Sequence, residues 1–177
     1  MNTLNQEFSR FYNQICLSVS QNKTMRSLRQ ALRRRIGQCF QEKIDLRSPT
    51  FLNYGRQATA TSIAPTCGEI LIEEGILLQH LDKKDIDKWP EPESLHRQVL
   101  SAVQTHTPDP PLDRKYSICV RYRGLYKAEL FILAKGPDKN LLAINGAEGW
   151  RPDPRTELSD WFKNQIEHHG FQLQRIA

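Results

Sequence analysis

The sequence predicts a mixed α+β domain. Two amphipathic helical stretches precede any strand signal, apolar strand-like runs follow with one helix between them, and a last helix closes the order. The 177 residues, at ~150 per domain, make one domain. A hydrophobic fraction of 38% and a charged fraction of 25% exclude both a membrane protein and a chain too charged to collapse. The longest apolar run, Leu130 to Ala134, falls far short of the ~20 residues of a bilayer span, and the polar start MNTLNQEF lacks a signal-peptide core. Both features predict a cytoplasmic protein.

Asn5 to Cys16 sets Phe8, Phe11, Tyr12 and Ile15 on one helical face. Met25, Leu28, Leu32, Ile36, Cys39 and Phe40 recur at three- and four-residue spacings, so 25–40 reads as a second helix with its arginines outward. Residues 1–48 are thus a helical arm packed on a core of 49–177, all within one domain. After Pro49 come a short strand, a glycine turn at Gly55 and a small-residue segment, then a central strand over Glu69 to Leu78. Ser94 is expected to cap a helix carrying Leu95, Val99 and Val103. Tyr116 to Arg123 and Tyr126 to Ala134 read as strands joined at Gly124, and Leu141 to Ile144 as another apolar run. Asp153 is the expected N-cap of the terminal helix, with Pro154 at its first position and Leu158, Trp161, Phe162 and Ile166 as its buried stripe.

Residues 1–50 hold nine Lys and Arg against three acids, a local excess of +6 in a chain of +5. Such a block attracts polyanions, and Arg26, Arg29, Arg33, Arg34 and Arg35 are its candidate nucleic-acid contacts. Without interleaved aromatics, a solvated helix face is the favoured reading. Cys16, Cys39, Cys67 and Cys119 stand singly and read as buried free thiols, and the dispersed histidines give little support for metal ligation.

Chemistry could reside where the glycine turn, the acidic strand and Glu129 of a later strand meet. Residues 69, 71 and 73 of a strand share one face, so Glu69 and Glu73 flank Leu71. Carboxylates on adjoining strands can converge on two divalent ions ~4 Å apart, which activate a hydroxyl and stabilise a leaving pyrophosphate. Backbone N–H groups of a glycine turn that opens a helix would hold the triphosphate. From spacing alone, rim acids and an ordinary turn remain the simpler alternative. Trp150, Trp161 and Phe162 read as core packing, and Tyr54 as a weaker candidate for touching a base.

Gly55 to Pro65 (GRQATATSIAP) follows a glycine-serine turn and A-T-G-T-x-I-x-P pattern, and GEILIEEG follows a D-x-D strand ending in glycine, with Leu71 and Glu73 at its two acid positions. Cys119, Val120 and Arg121 match an N-C-V-R-V strand, and Lys127, Ala128 and Glu129 an H-x-D strand. Trp150, Asp153, Pro154, Trp161 and Phe162 echo W-x-x-S-D-P-x-x-x-x-x-W-F, and Leu32 to Ile36 an L-R-x-R-I-like run. With these motifs in order, the chain resembles the nucleotidyltransferase domain of the bacterial cyclic GMP-AMP synthase-like enzymes. This CD-NTase group makes cyclic di- and trinucleotide signals in anti-phage defence.

The resemblance implies a polymerase-beta-like nucleotidyltransferase fold, a central mixed sheet flanked by helices. It implies Mg²⁺ or Mn²⁺ held by Glu73 and Glu129, with Glu69 as a substitute ligand, and a nucleoside triphosphate on Gly55 and Arg56. It also implies impairment, since Leu71 offers no oxygen at the first acid position and Arg56 replaces the turn serine. The segment like GFQLQRIA begins, in that family, a long helical half that closes over the nucleotide. Here most of that half is expected to be absent, leaving an open cleft, one that a protein partner covers, or a fragment or decayed copy of such an enzyme. The favoured function is a catalytically impaired protein acting by nucleotide or partner binding. The alternatives are an active, metal-dependent enzyme making a cyclic oligonucleotide from ATP or GTP, and a basic nucleic-acid-binding module.

Overall fold

The computed structural model describes residues 3–43, 48–59, 61–65, 68–81 and 85–168. The expectations for Ala60, Cys67 and 170–177 lie outside them. Helix α1 spans Thr3–Ile15 and α2 Val19–Lys43. The second helix starts well before its apolar stripe because Ser18 and Gln21 form a reciprocal cap. The Gln21 N–H donates to Ser18 Oγ at 3.2 Å, and the Ser18 N–H to Gln21 Oε1 at 2.7 Å.

Among the described residues seven strands follow: β1 (Thr50–Asn53), β2 (Ile70–Leu78), β3 (Leu112–Asp113), β4 (Ile118–Tyr122), β5 (Tyr126–Lys135), β6 (Asn140–Ile144) and β7 (Gly149–Pro152). Helix α3 (Pro92–Val103) lies between β2 and β3, and α4 (Pro154–His168) follows β7. They form one mixed sheet in the order β1-β2-β5-β4-β3, with β6 on β5 and β7 on β6. Among the described strands only the β2–β5 pair is parallel; its ladder sets Glu73 directly beside Glu129. The other edge of β5 is shared by β4 over Tyr126 to Leu130 and by β6 over Leu133 to Lys135.

Alternation along β2 and β5 divides the interior. Ile70, Ile72, Ile76 and Leu78, with Ala128, Leu130 and Ile132, join Leu32, Ile36 and Phe40 of α2 and Leu95, Val99 and Val103 of α3 in the main core. Among the described residues, helix α2 therefore supplies five of the nineteen buried residues of that core. Opposite residues, among them Leu77, Phe131 and Leu133, build a smaller cluster with Tyr54, Leu142 and Ile144. Glu74 belongs to the helix-covered face and is fully buried, where Arg29 Nε of α2 reaches one oxygen at 2.8 Å and Arg33 Nη2 the other at 2.7 Å.

Two expectations need correction. Helix α3 begins at Pro92 rather than being capped by Ser94, because proline's fixed φ suits the first helical turn; Ser94 already lies inside that turn. The apolar stripe of α4 is only partly covered: Leu158 is 62% and Trp161 56% exposed, Phe162 and Ile166 are half-buried, and Ser159 is the residue it buries. The start of this helix is tied to the body through Asp153, and its flank turns outward. The aromatic face of α1 is exposed too, at Phe8, Phe11 and Tyr12. Trp150 does pack, edge-on to Trp89 at 5.1 Å, with its indole N–H on Pro90 O. Among the described cysteines, Cys39 and Cys119 are buried thiols and Cys16 is half-buried. Among the described residues no helix is long and apolar enough to cross a membrane.

Candidate functional site

Residues 71, 73, 129 and 131 share the sheet face opposite α2, and there a cleft of about 240 Å³ opens. Leu71, Glu73, Glu129 and Phe131 form its floor; Arg114, Tyr116 and Ser117 wall one side and Arg155 the other. Glu73 and Glu129 are nearly buried, yet each carboxylate is engaged.

Glu73 rests on the 3-10 turn Gly55–Gln57 that follows β1. The Arg56 backbone N–H donates to Oε2 at 2.9 Å, Arg56 Nε–H reaches the same oxygen at 3.4 Å, and Arg155 Nη1–H donates to Oε1 at 3.3 Å. The carboxylate presses against the space that a side chain at Gly55 would fill. Gln57 fixes the turn to the sheet: its amide donates to Leu71 O at 3.1 Å, and its carbonyl accepts the Glu73 N–H at 3.0 Å. That side chain extends the β2 ladder where β1 stops pairing, at Asn53↔Glu74.

Glu129 is held from the opposite wall. Arg114 Nη1–H donates to Oε1 at 2.9 Å, the buried Ser117 hydroxyl donates to Oε2, and Lys127 Nζ stands at 4.0 Å. The turn between β3 and β4, closed by Arg114 N–H on Ser117 O at 2.9 Å, delivers both residues. Cys119 pairs with Glu129 across the β4–β5 ladder; burial first, then that carboxylate, pushes its thiol up and keeps it protonated.

Asp153 caps α4, accepting the Thr156 N–H and the Arg155 N–H at 3.2 Å each, and also the Tyr54 hydroxyl. Burial, then Asp153, raises the Tyr54 phenol far above its ordinary range, so it stays a donor. Tyr54 therefore ties the glycine turn to α4 rather than facing a ligand, its ring 4.7 Å from that of Phe131. The Arg155 guanidinium lies over Phe131 at 4.2 Å from the ring centre, which fixes its plane.

Solved structures similar to this arrangement of elements include dinucleotide cyclases. Escherichia coli DncV with bound 3'-deoxy GTP matches at a TM-score of 0.73 and 15% identity, over 89% of this chain and 60% of that one. Vibrio cholerae DncV in its apo form matches at 0.71 and 13%, over 89% and 59%. The Vibrio cholerae DncV cyclic AMP-GMP synthase with the linear intermediate pppA(3',5')pG matches at 0.69 and 13%, over the same shares. The fold is the DncV nucleotidyltransferase fold. The chain spans about three fifths of the length of these DncV structures. No family model and no curated protein matches it.

On the DncV fold, the sequence reading brings Gly55, Arg56, Glu73 and Glu129 to one place. Glu69 does not join them; it precedes β2, half-exposed, and is not among the residues lining the cleft. Of the expected metal ligands, Glu73 and Glu129 stand side by side, and Glu69, the substitute, lies apart from them. Among the described residues no three acidic, histidine or cysteine side chains gather as a cation would need. The donor chemistry present does not fit a divalent pair, because Leu71 supplies no oxygen and both glutamates face guanidinium groups. Arg29, Arg33 and Arg35, expected as nucleic-acid contacts, are turned inward, the first two to Glu74 and Arg35 to Ala102 O and Thr105. Arg26 and Arg34 are exposed.

The sequence reading missed Arg114, Ser117, Phe131, Arg155 and Gln57. Phe131 was within reach, two residues beyond Glu129 on one strand face. Arg155 follows the Asp153 cap directly. For Arg114 and Ser117 there was no local signal, since only the β3–β4–β5 register brings them to Glu129.

Proposed function

We propose that this chain is a nucleotidyltransferase-fold protein that has lost nucleotidyl transfer and works by binding, a nucleotide in the cleft or a protein partner beside it. Its resemblance to the cyclic-oligonucleotide synthases suggests anti-phage signalling as the setting. One observation carries the reading: the two remaining acids, Glu73 and Glu129, are each committed to arginine, and Leu71 stands at the first acid position. Guanidinium stays charged at every physiological pH, so a divalent ion would have to displace it from both carboxylates. It would then lack the oxygen that bridges two ions, and a misplacement of ~1 Å alone can cost about 100-fold in rate.

The decisive assay incubates purified protein with ATP and GTP in Mg²⁺ or Mn²⁺ and resolves the products chromatographically. No metal-dependent product above a Glu73→Ala control is expected. A cyclic or linear oligonucleotide that Glu73→Ala abolishes would overturn the reading.

A further inference from the structure

We propose that the cleft is a metal-independent anion pocket for a polyphosphate chain, with arginines supplying the positive charge that a divalent ion would otherwise bring. The inference rests on the binding reading above and specifies its ligand class.

Three observations converge on it. Arg114 and Arg155 line the cleft with Glu73 and Glu129, and Arg56 and Lys127 reach the same two carboxylates from its margin, so four cations stand against these two anions. Each of the three guanidiniums carries five N–H donors, of which one is bonded to a carboxylate here, and all three are between two fifths and one half exposed. Donors thus remain for a second anion, and a planar fork suits phosphate oxygens.

The second observation is the seat of Glu73 itself. Its carboxylate accepts a turn N–H, an Arg56 side-chain N–H and an Arg155 N–H, a donor set that also suits a phosphate group. The site is already built for an anion and holds one supplied by the chain. The third is size: at about 240 Å³ the cleft is below the ~300–1,000 Å³ that encloses a drug-sized ligand. Phosphates fit within it while a sugar and base remain outside.

The chemistry reverses two signs that a metal site would give. Mg²⁺ cancels part of a triphosphate's charge before it reaches the cleft, so the ion weakens binding to arginines. Glu73 competes with the incoming anion, so removing its charge strengthens binding, whereas a metal site would lose its ligand. Calorimetry on the full chain with inorganic triphosphate and with ATP, each in EDTA and in excess Mg²⁺, reads both. The expected results are binding in EDTA that Mg²⁺ weakens, tighter binding in Glu73→Gln, and a loss of about tenfold or more in Arg155→Gln and in Arg114→Gln.

Binding that requires Mg²⁺, binding lost in Glu73→Gln, or no binding of either probe overturns the proposal. If an Arg→Gln variant fails to fold by circular dichroism, Arg155→Lys keeps the charge without the fork and is expected to bind more weakly than the native chain; unchanged affinity counts against the proposal. Metal-dependent turnover would instead sink the reading beneath it. A chain with no turnover that binds only in Mg²⁺ would sink this inference and leave that reading standing.

Discussion

Gly55 holds φ at 54° with the Glu73 carboxylate packed where a Cβ would stand, so two separate constraints demand glycine. Alanine there costs about 1–2 kcal/mol from the left-handed backbone alone. It also pushes Glu73 off the Arg56 N–H. Urea denaturation of Gly55→Ala is expected to show at least that loss; an unchanged midpoint would mean that the turn relaxes freely. Tyr54, next in line, is a milder test. Tyr54→Phe removes the hydroxyl from Asp153 while leaving the cap's two backbone N–H bonds, so a loss of about 0.5–1.5 kcal/mol is expected in the same measurement.

At the scale of elements, the contact between α3's end and β4 carries a pH response. His106 Nε2 meets the Tyr122 hydroxyl at 3.0 Å, the two rings edge-on at 5.7 Å. Burial first, and Arg35 second, lower the imidazole's pKa below its usual 6.5. The fold therefore prefers neutral His106, while the unfolded chain protonates at about 6.5. Stability from this group is full above that pH and is lost as pH falls from there to the depressed folded value. Thermal melts between pH 7.5 and 5 are expected to show this decline, and His106→Gln to flatten it. A decline of equal slope in the variant would assign the effect to other groups. Helix α4 offers a second test at this scale: Asp153→Ala should cost about 0.5–2 kcal/mol as a lost N-cap, read by the same melts.

What was legible in the sequence follows from the range of the forces involved. Period-two alternation is local, so Glu73 and Glu129 could be placed on strand faces, and Asp153-Pro154 announced the start of α4. The Ser18 and Gln21 cap was equally local, and it explains the early start of α2. Register is not local. Pairing β2 with β5 in parallel sets Glu73 beside Glu129, and the turn before β4 brings Arg114 onto the acid pair, with no spacing in the chain to announce either. Burial of an amphipathic stripe likewise depends on what lies opposite. The same pattern that buries Leu32 and Ile36 leaves Leu158 and Trp161 in solvent.

For the whole molecule, the ion network of Glu74 and the uncovered aromatic faces of α1 and α4 set the contrast that stability measurements can read. Glu74 is fully buried in the seam between sheet and α2, held by Arg29 and Arg33, and its removal strands two guanidiniums beside an apolar core. Breaking such a network from one side typically costs about 3–5 kcal/mol, because the unpaired charge remains. Glu74→Gln is therefore expected to be among the most damaging single substitutions, comparable with Leu32→Ala in the core at about 2–5 kcal/mol. Trp161 sits at the opposite extreme. As the largest apolar side chain of α4, it would be ranked with the core by sequence, yet at 56% exposure its replacement by serine should cost well below the about 3–5 kcal/mol of a buried tryptophan. The two variants, compared by denaturant unfolding on the isolated chain, separate the accounts cleanly. A large loss in Trp161→Ser would return α4's apolar stripe to the interior and contradict the placement of that helix. A small loss in Glu74→Gln would show that water or neighbouring acceptors satisfy Arg29 and Arg33 without it, and that α2 is held to the sheet by its leucine and isoleucine contacts alone.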